Sequence, residues 1–292
     1  MRKAAAAALA LLVVALAAAC GSTKKSSSSS GTTSSSCAKR SLTLVSPGKL
    51  TIGTDNPAFP PWYGGAPGHG WKVSDPYSGK GYESAVAYAL AKQLGFARGD
   101  VTWKYTPFDN AFAPGKKAFD FDINQVSFTP DRAKVVDFSD SYYDVAQSVV
   151  VNDGTAIATV TTVAGLKPYE LGAQLGTTSY QLIQSQIMPS KKPSVFPSNA
   201  GAVQALKNKQ IDGLVVDLPT AFYVTAVQVP HSKVLGQFPA QPGGEHFGLV
   251  FQKGNSLVTC VNKAIGTLRS NGTLKQLDNK WLAKATGAPI LK

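Results

Sequence analysis

The chain has 292 residues, of which 43% are hydrophobic and 9% aromatic, enough apolar material for one large or two ordinary packed domains. Its formal charge of +12 comes from 29 basic against 17 acidic residues. These are scattered, with pairs such as Lys116-Lys117 and Lys191-Lys192 and no basic helix or aromatic-interleaved stripe, which argues against nucleic acid as a partner. His69, His231 and His246 lie far apart without ligand spacing, so no metal is expected, nor any other cofactor.

Arg2 and Lys3 precede an unbroken Ala/Leu/Val run that ends at Ala19, followed by Cys20. The short charged start and brief apolar core read as a signal peptide over residues 1–19, not a membrane span. Residues 17–20 look like a bacterial lipoprotein cleavage box, with Cys20 as the lipidated first residue of the mature chain and Ala17 where Leu is preferred. Residues 21–36 are nearly all Ser, Thr, Lys and Gly, which cannot bury apolar area, so residues 20–40 are expected to form a lipid anchor and flexible tether. Cys37 and Cys260 then remain as one pair in a compartment that permits disulfides. A bridge between them is expected, the alternative being a buried thiol at Cys260 on an apolar helix face.

From Lys49 onward strands and helices alternate, which argues for parallel sheet in an α/β fold. LTIGT (50–54) reads as a strand leading into the turn Asp55-Asn56-Pro57, with Phe59, Trp62 and Tyr63 just beyond. Residues 64–81 are Gly/Pro-rich and read as a loop or long hairpin. Tyr82, Val86, Ala89, Leu90 and Leu94 then share one helical face, stopped by Gly95. VTWKY (101–105) and FDFDI (119–123) are strands around a broken helical turn at 109–116. A second α/β unit follows Val151, with LGAQL (171–175) as a strand, a helix from Gly176-Thr177-Thr178-Ser179 to about residue 187, a helix over 199–207, and IDGLVV (211–216) as a strand. HFGLVF (246–251), a helix over 256–269, the break Asn271-Gly272 and a last helix through Trp281 complete the chain.

Candidate binding groups cluster around residues 125–143. Gln125, Val126, Ser127 and Phe128 alternate polar with apolar, Thr129-Pro130 makes a turn, and Arg132 follows one short turn from the Ser127 hydroxyl. A guanidinium offers a planar fork of donors for a carboxylate, and hydroxyls or backbone N–H groups can complete the shell. The alternative is an ordinary surface Arg after a Pro turn. In open α/β sheets ligands collect beyond the carboxyl ends of strands, where helix N-termini point. Thr178 and Asp217 are expected there, with helix capping as the simpler role of each, and Thr177 is a further candidate beside them.

Several stretches in order resemble one family, the amino-acid-binding extracytoplasmic proteins of ABC importers of the solute-binding family 3 type. They are GKLTIGTD with Pro-Trp soon after, GYESAVAYALAKQLG, FDFD followed by SFTPDR, VDFSDSYY, GTTSY, IDGLVVD, FGLVFQKGN and LRSNGTLKQLDNKW. The resemblance implies a two-lobed type II periplasmic-binding-protein clamshell joined by a two-strand hinge near 143–148 and 243–246. Lobe 1 would take 41–146 plus 245–292, and lobe 2 147–244. It further implies that Arg132 and Ser127 hold a ligand α-carboxylate, that Thr178 adds a donor from the opposite lobe, and that Asp217 accepts the α-ammonium. Phe59 and Trp62 would cover the ligand side chain, and Asp55 would reach it. Gln125, which stands where small residues are usual, and Asp55 together suggest a polar, basic or amide-bearing side chain. The implied protein is a monomer without chemistry of its own, held outside the cytoplasmic membrane by its lipid, with an ABC permease as partner. Two rival readings are a cyclic-acid dehydratase, with Glu83 or Asp55 as general acid, and the ligand-binding subunit of a sensor.

Overall fold

The computed structural model describes residues 37–239, 243–283 and 287–292. The expected signal peptide, Cys20 and residues 21–36 lie outside them. The first half supplies β1 (Leu50–Thr54), β2 (Val101–Tyr105), β3 (Phe121–Asp122), β4 (Val136–Phe138) and β5 (Tyr143–Val145). There follow β6 (Gln147–Asn152), β7 (Leu171–Gln174), β8 (Ser194–Phe196), β9 (Gly213–Asp217) and β10 (Ser232–Gln237), and then β11 (Glu245–Phe247) and β12 (Val250–Gln252).

They form two five-stranded sheets, one per lobe. The first has the order β2-β1-β3-β12-β4 and the second β10-β6-β9-β7-β8. β1, buried along its whole length, is the parallel neighbour of both β2 and β3. β12 arrives from the far end of the chain and runs antiparallel between β3 and β4, so lobe 1 is built from two separate segments. The lobes are joined by a two-stranded ribbon in which β5 and β11 pair antiparallel, Val145 opposite Glu245 and Tyr143 opposite Phe247.

Lobe 1 buries one sheet face, including Ile52, Phe121, Ile123 and Phe251, beneath its helices. These are α1 (Tyr82–Gln93) and, from the end of the chain, the two helices beginning at Leu257 and Thr273. On the first of those, Leu257, Cys260, Val261, Ala264, Ile265 and Leu268 are all buried, the spacing of a core-facing stripe. Cys260 Sγ lies 2.08 Å from Cys37 Sγ, which fastens the start of the described chain to this helix. Among the described residues no helix is long and apolar enough to cross a membrane.

Of the two forms expected for residues 64–81, the structure has the loop, with two isolated bridges, Ala58 to Ser74 and Gly68 to Trp71, and the buried rings of Tyr63 and Trp71 beside it. VDFSDSYY forms two strands, β4 and β5, separated where Ser139 turns to exchange hydrogen bonds with Leu249. HFGLVF likewise splits into β11 and β12, because Gly248 donates to the Val126 carbonyl. The helix expected to residue 187 is regular only over Thr178–Leu182 and ends in a π-turn, Ile183–Ile187.

The end of the chain departs further. Residues 288–292, expected in lobe 1, lie along lobe 2. The Gln237 N–H donates to the Pro289 carbonyl and the Gln237 carbonyl accepts from the Leu291 N–H, while Lys292 exchanges bonds with Thr161 and Val163. Leu291 is 2% exposed within the lobe 2 core. β10 is an edge strand, and its unpaired backbone groups offer a place for this tail. Gly236 makes the approach possible, since a side chain there would come within 2.8 Å of the Pro289 oxygen.

Candidate functional site

A cavity of about 110 Å³ lies in the cleft between the lobes, room for a ligand rather than a single water. All nine residues singled out from the sequence line it: Asp55, Phe59, Trp62, Gln125, Ser127, Arg132, Thr177, Thr178 and Asp217. Asp55 follows the carboxyl end of β1 and Asp217 closes β9, while Ser127 and Arg132 stand after β3.

Arg132 lies on the short helix Pro130–Ala133, whose capping residue Thr129 accepts a hydrogen bond from the Arg132 backbone N–H at 3.2 Å. The side chain is buried, and its guanidinium sits 4.2 Å from the centre of the Phe112 ring. One nitrogen donates to the Ser127 carbonyl at 2.6 Å and the other to the Gly176 carbonyl of lobe 2 at 2.7 Å. Gly176 has a φ of +76°, a left-handed conformation that glycine adopts without strain, and this turns its carbonyl toward the arginine. Burial lowers the Arg132 pKa to about 10, opposed by attraction to Glu245, Asp109 and Asp217, and the group is a cation at neutral pH.

Asp217 caps nothing with its side chain, although it precedes the helix Leu218–Tyr223. Its Oδ1 accepts from Gln147 Nε2 at 2.7 Å. Burial, followed by repulsion from Glu245, pushes its pKa well above the usual carboxylate range. Burial also raises that of Asp55, with a smaller contribution from Asp109. On the lobe 2 wall Thr177 is the cap, accepting from Tyr180 N–H at 3.1 Å. That frees the Thr178 hydroxyl for the cleft.

Two of the lining residues, Trp62 and Gln125, also have partners within the protein. Trp62 is only 2% exposed and packs edge-on against Tyr82, Tyr143 and Phe247. It is a core residue whose indole N–H crosses the cleft to Thr220 Oγ1 at 2.8 Å. Gln125, at a φ of +49°, donates from its amide to the buried Glu83, whose Oε1 also accepts the Gln125 backbone N–H at 2.7 Å. A buried carboxylate needs such donors, and Glu83 draws a third from the Tyr142 hydroxyl.

Sequence reasoning missed Gln147 and Glu245. Gln147 opens β6 and connects Asp217, Glu245 (3.0 Å) and Thr178 (3.5 Å) through Nε2, while its Oε1 accepts from Ser179 Oγ at 2.6 Å. Glu245 lies on the hinge strand, and its Oε1 accepts from Ser127 Oγ at 2.5 Å and Thr178 Oγ1 at 2.6 Å. The one available signal was a carboxylate directly after Gly243-Gly244 in the expected hinge.

Two α/β lobes on a two-strand hinge, closed over a cavity lined with charged and hydroxyl side chains, define a clamshell binding protein. Residues 50–284 match the family described as bacterial extracellular solute-binding proteins, family 3, and the chain belongs to that family. It is 29% identical over 214 residues to the L-cystine-binding protein TcyJ of Escherichia coli K12, covering 73% of this chain and 76% of that protein. It is 28% identical over 206 residues to the ABC transporter arginine-binding protein 1 of the same strain, covering 69% and 81%. Among solved structures, an ancestral arginine-binding protein bound to glutamine superposes with a TM-score of 0.67 at 31% identity, over 80% of this chain and 98% of that one. The ancestral amino-acid-binding protein AncCDT-1, a precursor of cyclohexadienyl dehydratase, gives 0.66 at 28% identity, over 80% and 95%.

Proposed function

We propose that the protein captures a polar L-amino acid with a basic or amide-bearing side chain and delivers it to an ABC permease. On this reading it is a monomer tethered to the outer face of the bacterial cytoplasmic membrane through a lipidated Cys20. Lobe 1 takes residues 41–146 and most of the chain from 245 onward, and lobe 2 takes 147–244 with the closing tail. The observation that carries the reading is the polarity of the cleft. Donors from both lobes, Arg132, Ser127 and Thr178, line it together with the acceptor Asp217, whose Oδ1 is fixed by Gln147.

A zwitterion needs donors at one end, an acceptor at the other and little water between. Arg132 is the one basic group among the described residues lining the cavity, against the carboxylates of Asp55 and Asp217, which favours a cationic or neutral side chain over an acidic one. The dehydratase reading loses its first candidate acid, because Glu83 is enclosed behind Gln125 and does not line the cavity.

A thermal-shift screen over the common amino acids tests the proposal. Basic and amide amino acids are expected to raise the melting temperature and acidic ones not to, and a flat screen would sink it. The Arg132→Ala variant is expected to weaken the best ligand by about 100-fold, since charge-assisted bonds contribute about 1.5 to 3 kcal/mol each.

A further inference from the structure

The anion closest to the donors of the cleft belongs to the protein. Glu245 Oε1 accepts from Ser127 Oγ at 2.5 Å, Thr178 Oγ1 at 2.6 Å and Gln147 Nε2 at 3.0 Å. Ser127 and Thr178 come from opposite lobes, and Glu245 comes from the hinge strand between them. A hydroxyl has a single proton to donate. While Ser127 and Thr178 give theirs to Glu245, neither can give one to a ligand.

We propose that Glu245 is a specificity-determining residue: a tethered carboxylate that occupies the anion cradle, so that a ligand carboxylate binds only by displacing it. The proposal rests on the amino-acid-binding reading above. It makes two things follow. The ligand-free protein can close, because its own carboxylate bridges Ser127 and Thr178 across the cleft. The apparent affinity for a free amino acid is reduced by the fraction of molecules whose cradle is vacant, whereas an amide analogue, with no charge to place there, has less to gain from vacancy.

The test compares L-arginine with L-argininamide by calorimetry on the wild type and the Glu245→Ala variant, with Glu245→Gln as an uncharged variant that keeps the shape. Removing Glu245 is expected to tighten L-arginine by about ten-fold, while L-argininamide changes by less than about two-fold. In a Thr178→Val background most of the gain should vanish, because the freed hydroxyl is then absent. Equal changes for both probes, or weaker L-arginine binding without Glu245, would overturn the proposal. If L-arginine binds no form, the basic-ligand reading fails and ligand-free X-ray scattering decides Glu245 separately. A larger radius of gyration for Glu245→Ala than for the wild type supports the bridge, and equal radii refute it.

Discussion

Glu83 and Asp122 set the pH response of lobe 1. Glu83 is fully buried, and burial raises its pKa to about 7, against the opposing pull of the donors Tyr142 and Gln125. Because the folded value lies above the model-peptide 4.5, the folded state holds a proton that the unfolded chain has lost. That contribution is complete below about pH 4.5 and disappears as pH rises through about 7, a change on the order of 3 kcal/mol. Calorimetry should show the melting temperature falling over this range and falling less in Glu83→Gln; parallel curves would contradict the assignment. Asp122 adds in the same direction, since burial and then Glu83 raise its pKa well above the usual carboxylate range. Neither of its oxygens has a hydrogen-bond partner among the described residues. Replacing such a group by a near-isosteric apolar one removes a desolvation cost of about 1 to 3 kcal/mol, so Asp122→Leu is expected to raise the melting temperature and flatten its pH dependence.

Among the elements, the tail over residues 288–292 is the least expected part and makes the plainest claim. Leu291 fills a place in the lobe 2 core, and the backbone on either side of it covers the edge of β10. Leu291→Ala should cost about 2 to 5 kcal/mol and increase amide exchange along β10 with little effect on β1 or β3. A uniform increase over both lobes would show that the tail is not a lobe 2 element. No periodicity in GAPILK announces this pairing, because an edge strand is satisfied by backbone groups that any sequence carries. Where side-chain pattern decides, the sequence was readable: LTIGT and VTWKY gave β1 and β2 residue for residue, and the apolar stripe from Leu257 to Leu268 gave its helix. The site was readable for a different reason, since strand ends and helix starts converge on the cleft and take Ser127, Arg132, Thr178 and Asp217 with them. The partners of Gln125 and Trp62, Glu83 and the Tyr82–Phe247 ring cluster, were not legible in the sequence because they come from distant positions. Glu245 escaped notice because a hinge reads as a connector until its side chain is placed.

For the molecule as a whole, the proposed function requires an equilibrium between open and closed lobes, and the form described here is held by a few polar contacts across the cleft. These are Arg132 to the Gly176 carbonyl, Trp62 to Thr220, and Ser127 with Thr178 through Glu245. The Trp62 bond is the most separable, because Thr220→Val keeps the shape and removes only the acceptor. In the open form the indole N–H can bond to water, whereas in the closed form it would be buried without a partner. The penalty of about 1 to 3 kcal/mol therefore falls on closure alone. A ligand that binds the closed form must supply that difference from its own binding energy. Thr220→Val is expected to weaken the best amino acid by roughly ten-fold and to enlarge the ligand-free radius of gyration, with the melting temperature of the ligand-free protein nearly unchanged. Equal affinity and equal size would mean that the Trp62 bond forms as readily in the open molecule and has no part in closing it.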